Sequence, residues 1–314
     1  MNGGAKRRVL VTGATGFLGP YVMQGLAQAG FGVRIAARGA VAVTPHETVT
    51  VGSIDSKTEW NSALAGVDAV VHLAGRAHQS RSFESSERQA YFETNTAGTL
   101  RLAQAAAGEV RHFVFLSTIL VNGSKTDGQA PFTENDTPAP STIYAESKAR
   151  AEEGLSQIAV ATGLIATVLR PPLIYGRRAK GNFALLSRAV RAGIPLPLGA
   201  VANRRAFVAA ENVSSFILSA LGEPEHSAGI FIVADDEQVS TPDFVRRMAA
   251  AVGRRVHLLP LPVRLIRLAL RSAGQARLGD SILGSLEVDT SKARATGWWP
   301  VLSLDEGLRL ALAD

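Results

Sequence analysis

A doubly wound α/β fold, with a parallel sheet followed by a smaller carboxy-terminal domain, is the class this sequence predicts. Three observations carry the prediction. Short β-branched runs alternate with longer helical patterns through the first half. A glycine-rich turn follows the first of those runs, and after Pro171-Pro172 the rhythm loosens into Gly- and Pro-punctuated segments. The strands expected are 9–12, 33–37, 49–52, 69–74, 113–117 and 165–170, with helices near 17–29, 58–65, 87–107 and 144–162. Later, one clear strand at 230–234 stands among loops such as 193–199. The expected division is 1–170 for a nucleotide-binding domain and 171–314 mainly for a ligand-binding second domain, with some segments returning to the sheet.

The first strand runs directly into Thr12-Gly13-Ala14-Thr15-Gly16-Phe17-Leu18-Gly19, and a helix follows. In a Rossmann-type sheet Gly13 makes the tight turn, Gly16 lets the backbone approach a pyrophosphate, and Gly19 permits close packing of helix on sheet. Such sheets usually end the second strand in an acidic residue that binds the adenosine ribose. Here Ala37 and Arg38 stand in that place. Without the carboxylate a 2′-phosphate is not repelled, and a guanidinium can hold it bidentately, so NADP(H) is favoured, with NAD(H) as the alternative. The bland reading of Arg38 is a solvated loop residue.

The fifth strand delivers Ser117 and Thr118 to the carboxyl edge of the sheet, where ligands of this architecture bind. Tyr144 and Lys148 are one helical turn apart, on one face. A phenol with an ordinary pKa of about 10 is a poor base at neutral pH. A neighbouring ammonium and a cationic nicotinamide favour the phenolate, so Lys148 is expected to lower the pKa of Tyr144. Thr118 or Ser117 then hydrogen-bonds the reacting oxygen. Ser141 or Thr142 caps the helix, and Glu152 and Glu153 are read as its solvated face.

Composition sets the outer bounds. The chain has 314 residues, 46% hydrophobic and 19% charged, as in an ordinary globular protein. Its net charge of +6 is compatible with an anionic ligand or surface and equally with simple solubility. With no cysteine there are no disulfides, thiolate metal sites or cysteine nucleophiles, which fits a reducing cytoplasm. No metal is expected. The apolar run 9–11 is too short for a signal peptide, and 258–270 is broken by Arg264 and Arg267, so no spanning segment is expected. With Arg271 these arginines form one stripe, read as a helix capping the second domain rather than a membrane-surface helix, since Trp and Phe are absent there. Nucleic acid is not an expected partner, because the charge lacks an aromatic-interleaved platform.

The set Thr12–Gly19, His72-Leu-Ala-Gly75, Asn95, Leu116-Ser-Thr118, Tyr144-x-x-x-Lys148 and Arg170-Pro-Pro resembles the extended short-chain dehydrogenase/reductases, in particular the NAD-dependent epimerase/dehydratase group acting on nucleotide sugars. The resemblance covers nearly the whole chain. It implies that Thr118, Tyr144 and Lys148 form the catalytic set, and that Asn95 supports the helix near the site. The cofactor set it implies is Gly13, Thr15, Gly16, Phe17, Leu18, Gly19, Arg38, Ser53, Ile54, Leu73, Ala74, Gly75, Asn95, Ser117, Tyr144, Lys148 and Pro171. Ser53 and Ile54 stand near the adenine, where the family often has an aspartate. On the substrate side it implies Thr118, Asn182, Leu198 and Arg205, with Arg277 as a second cation.

Two departures narrow the chemistry. Sugar dehydratases of the group carry Thr-Asp-Glu where this chain has Ser117-Thr118-Ile119, which argues against dehydration. Common 4-epimerases carry Val-Tyr-Gly where it has Val121-Asn122-Gly123. The segments Lys180–Phe183, Pro195–Gly199 and Gly284–Asp289 are more similar to bacterial surface-polysaccharide 4-ketoreductases, which reduce a UDP-4-keto-6-deoxy-hexosamine to a quinovosamine-type sugar. The expected function is hydride transfer at C4 of a UDP-hexose(amine) by a cytoplasmic homodimer, with a 4-epimerase as the alternative. A non-catalytic NADP(H) sensor would be expected to have a broken Tyr/Lys pair, and the pair is intact.

Overall fold

The computed structural model describes residues 6–41, 45–77 and 85–313. Apolar runs flanked by turns form β1 (Arg8–Thr12), β2 (Gly32–Ala37), β4 (Ala69–His72), β5 (His112–Leu116) and β6 (Ile165–Leu169), and the polar edge strand β3 (Glu47–Thr50) joins them. Two short strands, β7 (Leu173–Tyr175) and β8 (Phe207–Ala209), make a separate parallel pair, and β9 (Gly229–Phe231) completes the main sheet. The main order is β3-β2-β1-β4-β5-β6-β9, parallel at every step. The chain runs outward from β1 to β3 and then crosses back to β4. A crevice therefore opens at the carboxyl ends of β1 and β4.

Alternate strand residues feed two cores, as the pleat requires. Val9 and Val11 pack with α1 (Gly19–Gln28), while Leu10 packs on the opposite face with α2 (Asn61–Leu64). The sequence-predicted helix 87–107 is instead three pieces: α3 (Ser85–Tyr91), a π-helical stretch at Phe92–Ala97, and α4 (Gly98–Ala106). Wide π turns often mark a residue turned toward a functional site, and Asn95 lies inside this one. The helix α5 (Ile143–Thr162) begins at Thr142, whose hydroxyl accepts from the Ala145 amide at 3.1 Å, and ends at Gly163 in the left-handed region.

Beyond β6 come α6 (Gly181–Arg191), α7 (Ala210–Gly222), α8 (Thr241–Ala251), α9 (Val263–Ser272), α10 (Ala276–Leu283), α11 (Ser291–Ala295) and α12 (Leu304–Leu312). Of these, α7 lies against the main sheet: Val213, Phe216 and Ile217 join the core of β1 and α1. A separate core gathers β7, β8, α6, α8 and α12 around Tyr175, Phe183, Phe207 and Phe244, with the last two rings stacked 3.9 Å apart. Tyr175 donates to Asp235 at 2.7 Å, and Asp235 also accepts from the Ala209 amide and Asn212, so this buried carboxylate is satisfied. The expected strand 230–234 is β9, shorter and displaced by one residue. Among the described residues no helix is long and apolar enough to cross a membrane.

Candidate active site

At the crevice a cleft of about 350 Å3 is lined by Gly13, Thr15, Gly16, Arg38, Ser53, Ile54, Leu73, Ala74 and Gly75, all expected there. Ala14, Ile35, Ala36, Ala37, Arg76 and Thr94 line it too, outside the expected set. Of these, Ala14 and Ala37 occupy segments that the sequence singles out, the glycine loop and the end of the second strand. The loop leaves no room for side chains. Gly13 has φ +71°, and a Cβ there would lie 2.6 Å from the Ala74 nitrogen. One at Gly16 would lie 3.0 Å from the Gly13 oxygen. Backbone thus faces the cleft, and these residues fit a nicotinamide dinucleotide, whose pyrophosphate needs such an approach.

Phe17, Leu18 and Gly19 are not brought to the cleft. Leu18 is buried in the core, the Phe17 ring meets Tyr21 edge-on, and a Cβ on Gly19 would strike the Ala14 carbonyl. Their place is in the packing of α1 on the sheet. Behind the loop, His72 is fully buried between Thr12 (2.7 Å) and Thr99 (3.0 Å). The Ala74 amide donates to the Thr12 hydroxyl at 3.2 Å, so the imidazole braces the cleft wall. Burial, reinforced by the Lys148 charge, lowers His72 to about 3, and it stays neutral.

Asn95 ties three segments together. Its amide donates to Ser147 on α5 (2.9 Å) and to the Arg76 carbonyl (3.1 Å), and its oxygen accepts from the Arg76 amide (2.7 Å). Lys148 is buried beside Gly75, where an added Cβ would sit 3.1 Å from Nζ. Nζ donates to the Leu116 carbonyl at 2.8 Å and lies 4.5 Å over the Phe115 ring. Burial lowers its pKa to about 8, with Glu152 acting the other way.

Tyr144 differs from expectation. Half-buried, it is pushed up to about 12 by burial, while hydrogen bonding with Thr118 acts in the opposite direction. Lys148 is not among the groups that set this shift, and its ammonium donates to the Leu116 carbonyl. At neutral pH the phenol carries its proton and can donate it. Thr118 faces it and also accepts from the Leu120 amide at 3.3 Å. The Pro171 carbonyl accepts from the Ile119 amide at 2.9 Å, pinning the turn after Thr118.

Ser117 is turned away. Its hydroxyl donates to Glu152, which was expected on a solvated face but is only 5% exposed. Arg170 clamps that carboxylate through Nε (3.0 Å) and Nη2 (2.6 Å), and its Nη1 donates to Asn122 at 2.9 Å. Of the two glutamates expected on the solvated face, Glu153 keeps that exposure and Glu152 does not, because one helical step separates the solvent side from the side facing β6. The buried pair holds α5 against the end of β5 and so sets where Tyr144 meets Thr118.

On the carboxy-terminal side, Asn182 and Arg205 line one small pocket of about 20 Å3 with Phe183, Thr241, Ser281 and Ile282. Asn182 donates to Ser281 at 2.7 Å and Arg205 to the Gly284 carbonyl at 2.7 Å. Arg205 is 6% exposed, and burial lowers its pKa to about 10. Leu198 is not brought there, being packed in the core with Phe183 and Val201. The side chain of Arg277 lies outside the described residues. Among those described, no cluster of three His, Asp or Glu that could hold a metal ion occurs.

Residues 9–234 match the NAD dependent epimerase/dehydratase family. The chain belongs to this family. It is an NAD(P)-dependent enzyme of the extended short-chain dehydrogenase/reductase type. Among its relatives, a UDP-glucose 4-epimerase of Vibrio cholerae is 36% identical, with 96% of this chain and 94% of that protein covered. A GDP-6-deoxy-D-mannose reductase of Pseudomonas aeruginosa is 27% identical over 98% of this chain and 97% of its own. The solved UDP-glucose 4-epimerase of Thermus thermophilus in complex with NAD has a TM-score of 0.77 at 26% identity, covering 97% of each chain.

Proposed function

We propose that this enzyme reduces C4 of a UDP-4-keto-hexose(amine), with NADP(H) as the favoured cofactor and a quinovosamine-type UDP-sugar for surface polysaccharide as the product. The observation that carries the proposal is the Tyr144 phenol hydrogen-bonded with Thr118, next to a cleft whose second strand ends in Ala37 and Arg38 rather than in an acid. A bound reduced nicotinamide supplies the hydride to C4. Tyr144 gives its proton to the C4 oxygen, so the carbonyl becomes an alcohol. Thr118 orients that oxygen, and Lys148, buried beside Gly75, holds the nicotinamide ribose and later helps Tyr144 to regain a proton. Asn182 and Arg205, with Arg277, hold the diphosphate, a task suited to a guanidinium fork. Arg38 holds the 2′-phosphate.

The second reading is a UDP-hexose 4-epimerase, favoured by the 36% identical relative of that name. It uses the same three residues but returns the hydride to the opposite face. We place the enzyme in the cytoplasm as a homodimer paired through α4 and α5, where Val160 on α5 is 87% exposed. Incubation with a UDP-4-keto-6-deoxy-hexosamine and NADPH or NADH, followed by NMR of the product, tests the proposal. The expected result is stoichiometric oxidation of NADPH, faster than of NADH, with a 4-hydroxy sugar formed. Redox-neutral interconversion of UDP-sugars with retained cofactor selects the epimerase, and the absence of both reactions defeats both readings.

A further inference from the structure

The positive charge of this protein is concentrated in one segment. Residues 244–279 hold eight arginines and no aspartate or glutamate, against a net charge of +6 for the whole chain, so the remainder is net acidic. Arg247 is neutralised by Glu237, Asp243 and Asp305. Arg254, Arg255, Arg264 and Arg271 are exposed and have no ion-pair partner among the described residues.

Bare leucines lie among these arginines. Leu259, Leu261, Leu265 and Leu268 are 46%, 44%, 59% and 65% exposed. Ile194, 52% exposed, adjoins them, because Leu196 and Gly199 hydrogen-bond to His257 and Leu259. These are five of the ten large hydrophobic side chains left exposed among the described residues. On α9 only Ile266 is buried, while Leu265 and Leu268 point outward one turn apart. A helix that merely capped the domain would bury its leucines and expose its arginines. This one packs Val263, Ile266 and Leu270 against the domain and leaves Leu265 and Leu268 bare beside Arg264 and Arg271.

We propose that α9 and the segment 257–262 before it dock the enzyme in the plane of an anionic lipid bilayer, with leucines at the acyl boundary and arginines on headgroup phosphates. Charge complementarity selects this occupant. A second copy of the chain would bring arginines against arginines across a two-fold contact. A nucleic acid would leave the leucines in water. Docking places the Asn182 and Arg205 pocket one helix from the bilayer, since α10 packs on α9 and contributes Ser281 and Ile282 to that pocket. The inference does not rest on the proposed reaction.

Flotation of the full chain with vesicles of phosphatidylcholine plus phosphatidylglycerol, and with phosphatidylcholine alone, tests it. Partition onto the anionic vesicles is expected, weakening as salt is raised. Arg264→Ala with Arg271→Ala lowers that partition about 30-fold. Leu265→Ser with Leu268→Ser lowers it at least about tenfold with the charge intact. No partition onto anionic vesicles, or partition that either double variant keeps unchanged, overturns the proposal. So does a halved particle mass of the leucine variant in light scattering, which assigns the patch to a second copy.

Discussion

The cofactor cleft and the pocket holding Asn182 and Arg205 are built in opposite ways. The cleft, about 350 Å3, is walled by backbone and small residues that leave it open. The pocket, about 20 Å3, has room for about one water, and its polar groups are bonded within the protein. The floor of the cleft is the turn between β1 and α1, set by local backbone geometry, and its walls come from the end of β2 and the loops that follow β3 and β4. The pocket joins residues 99 positions apart, as in the Asn182 to Ser281 bond, and depends on how α6 and α10 sit. One half is open. The polar groups of the other are already bonded inside the protein, so the diphosphate proposed for it would have to replace those bonds.

The largest expected effect belongs to Tyr144. Tyr144→Phe should lower kcat about a thousandfold while NADPH binding is kept, because only the proton donor is lost. Turnover within about tenfold of the parent would separate the phenol from the chemistry. Next is the buried clamp of Glu152 and Arg170. Glu152→Ala leaves Arg170 charged and unpaired, and should cost about 3–5 kcal/mol in urea unfolding. A loss under about 1 kcal/mol would mean that water reaches the site.

The contrast itself is tested by a crossed pair. Arg205→Ala should raise KM for the UDP-sugar about 30-fold with the NADPH Kd unchanged within about twofold, and Gly13→Ala should do the reverse. Parallel effects on both constants would show the two halves to be coupled. The smallest effect is that of pH on the cleft wall. His72 has a folded pKa of about 3 against an ordinary 6.5. As pH falls below about 6.5 the unfolded chain takes a proton that the folded one refuses. Stability is then lost by about 1.4 kcal/mol per pH unit, down to about pH 3. Urea unfolding at pH 7 and pH 5 should show this slope reduced in His72→Gln.

The central strands were legible because strands buried on both faces read as continuous apolar runs, and the glycine loop because its spacing follows from covalent geometry, whereas the exposed edge strand β3 starts two residues before the expected 49–52. The π-helical stretch was not, since Asn95 is held there by Arg76 and Ser147, which are 19 and 52 positions away. Nor was the difference between Glu152 and Glu153, adjacent in sequence and alike in chemistry. Only the arrival of Arg170 on the β6 side makes one of them a buried partner.

Residue order thus determines the doubly wound sheet, the loop that faces the dinucleotide, and the helical turn that sets Tyr144 beside Lys148. All three depend on periods of a few residues. Tertiary packing decides that Lys148 turns to the Leu116 carbonyl, that Ser117 turns to Glu152, and that Thr118 is left to meet Tyr144. It also raises the pKa of the Tyr144 phenol, since the cost of burying a charge depends on what surrounds it in space and not on its neighbours along the chain.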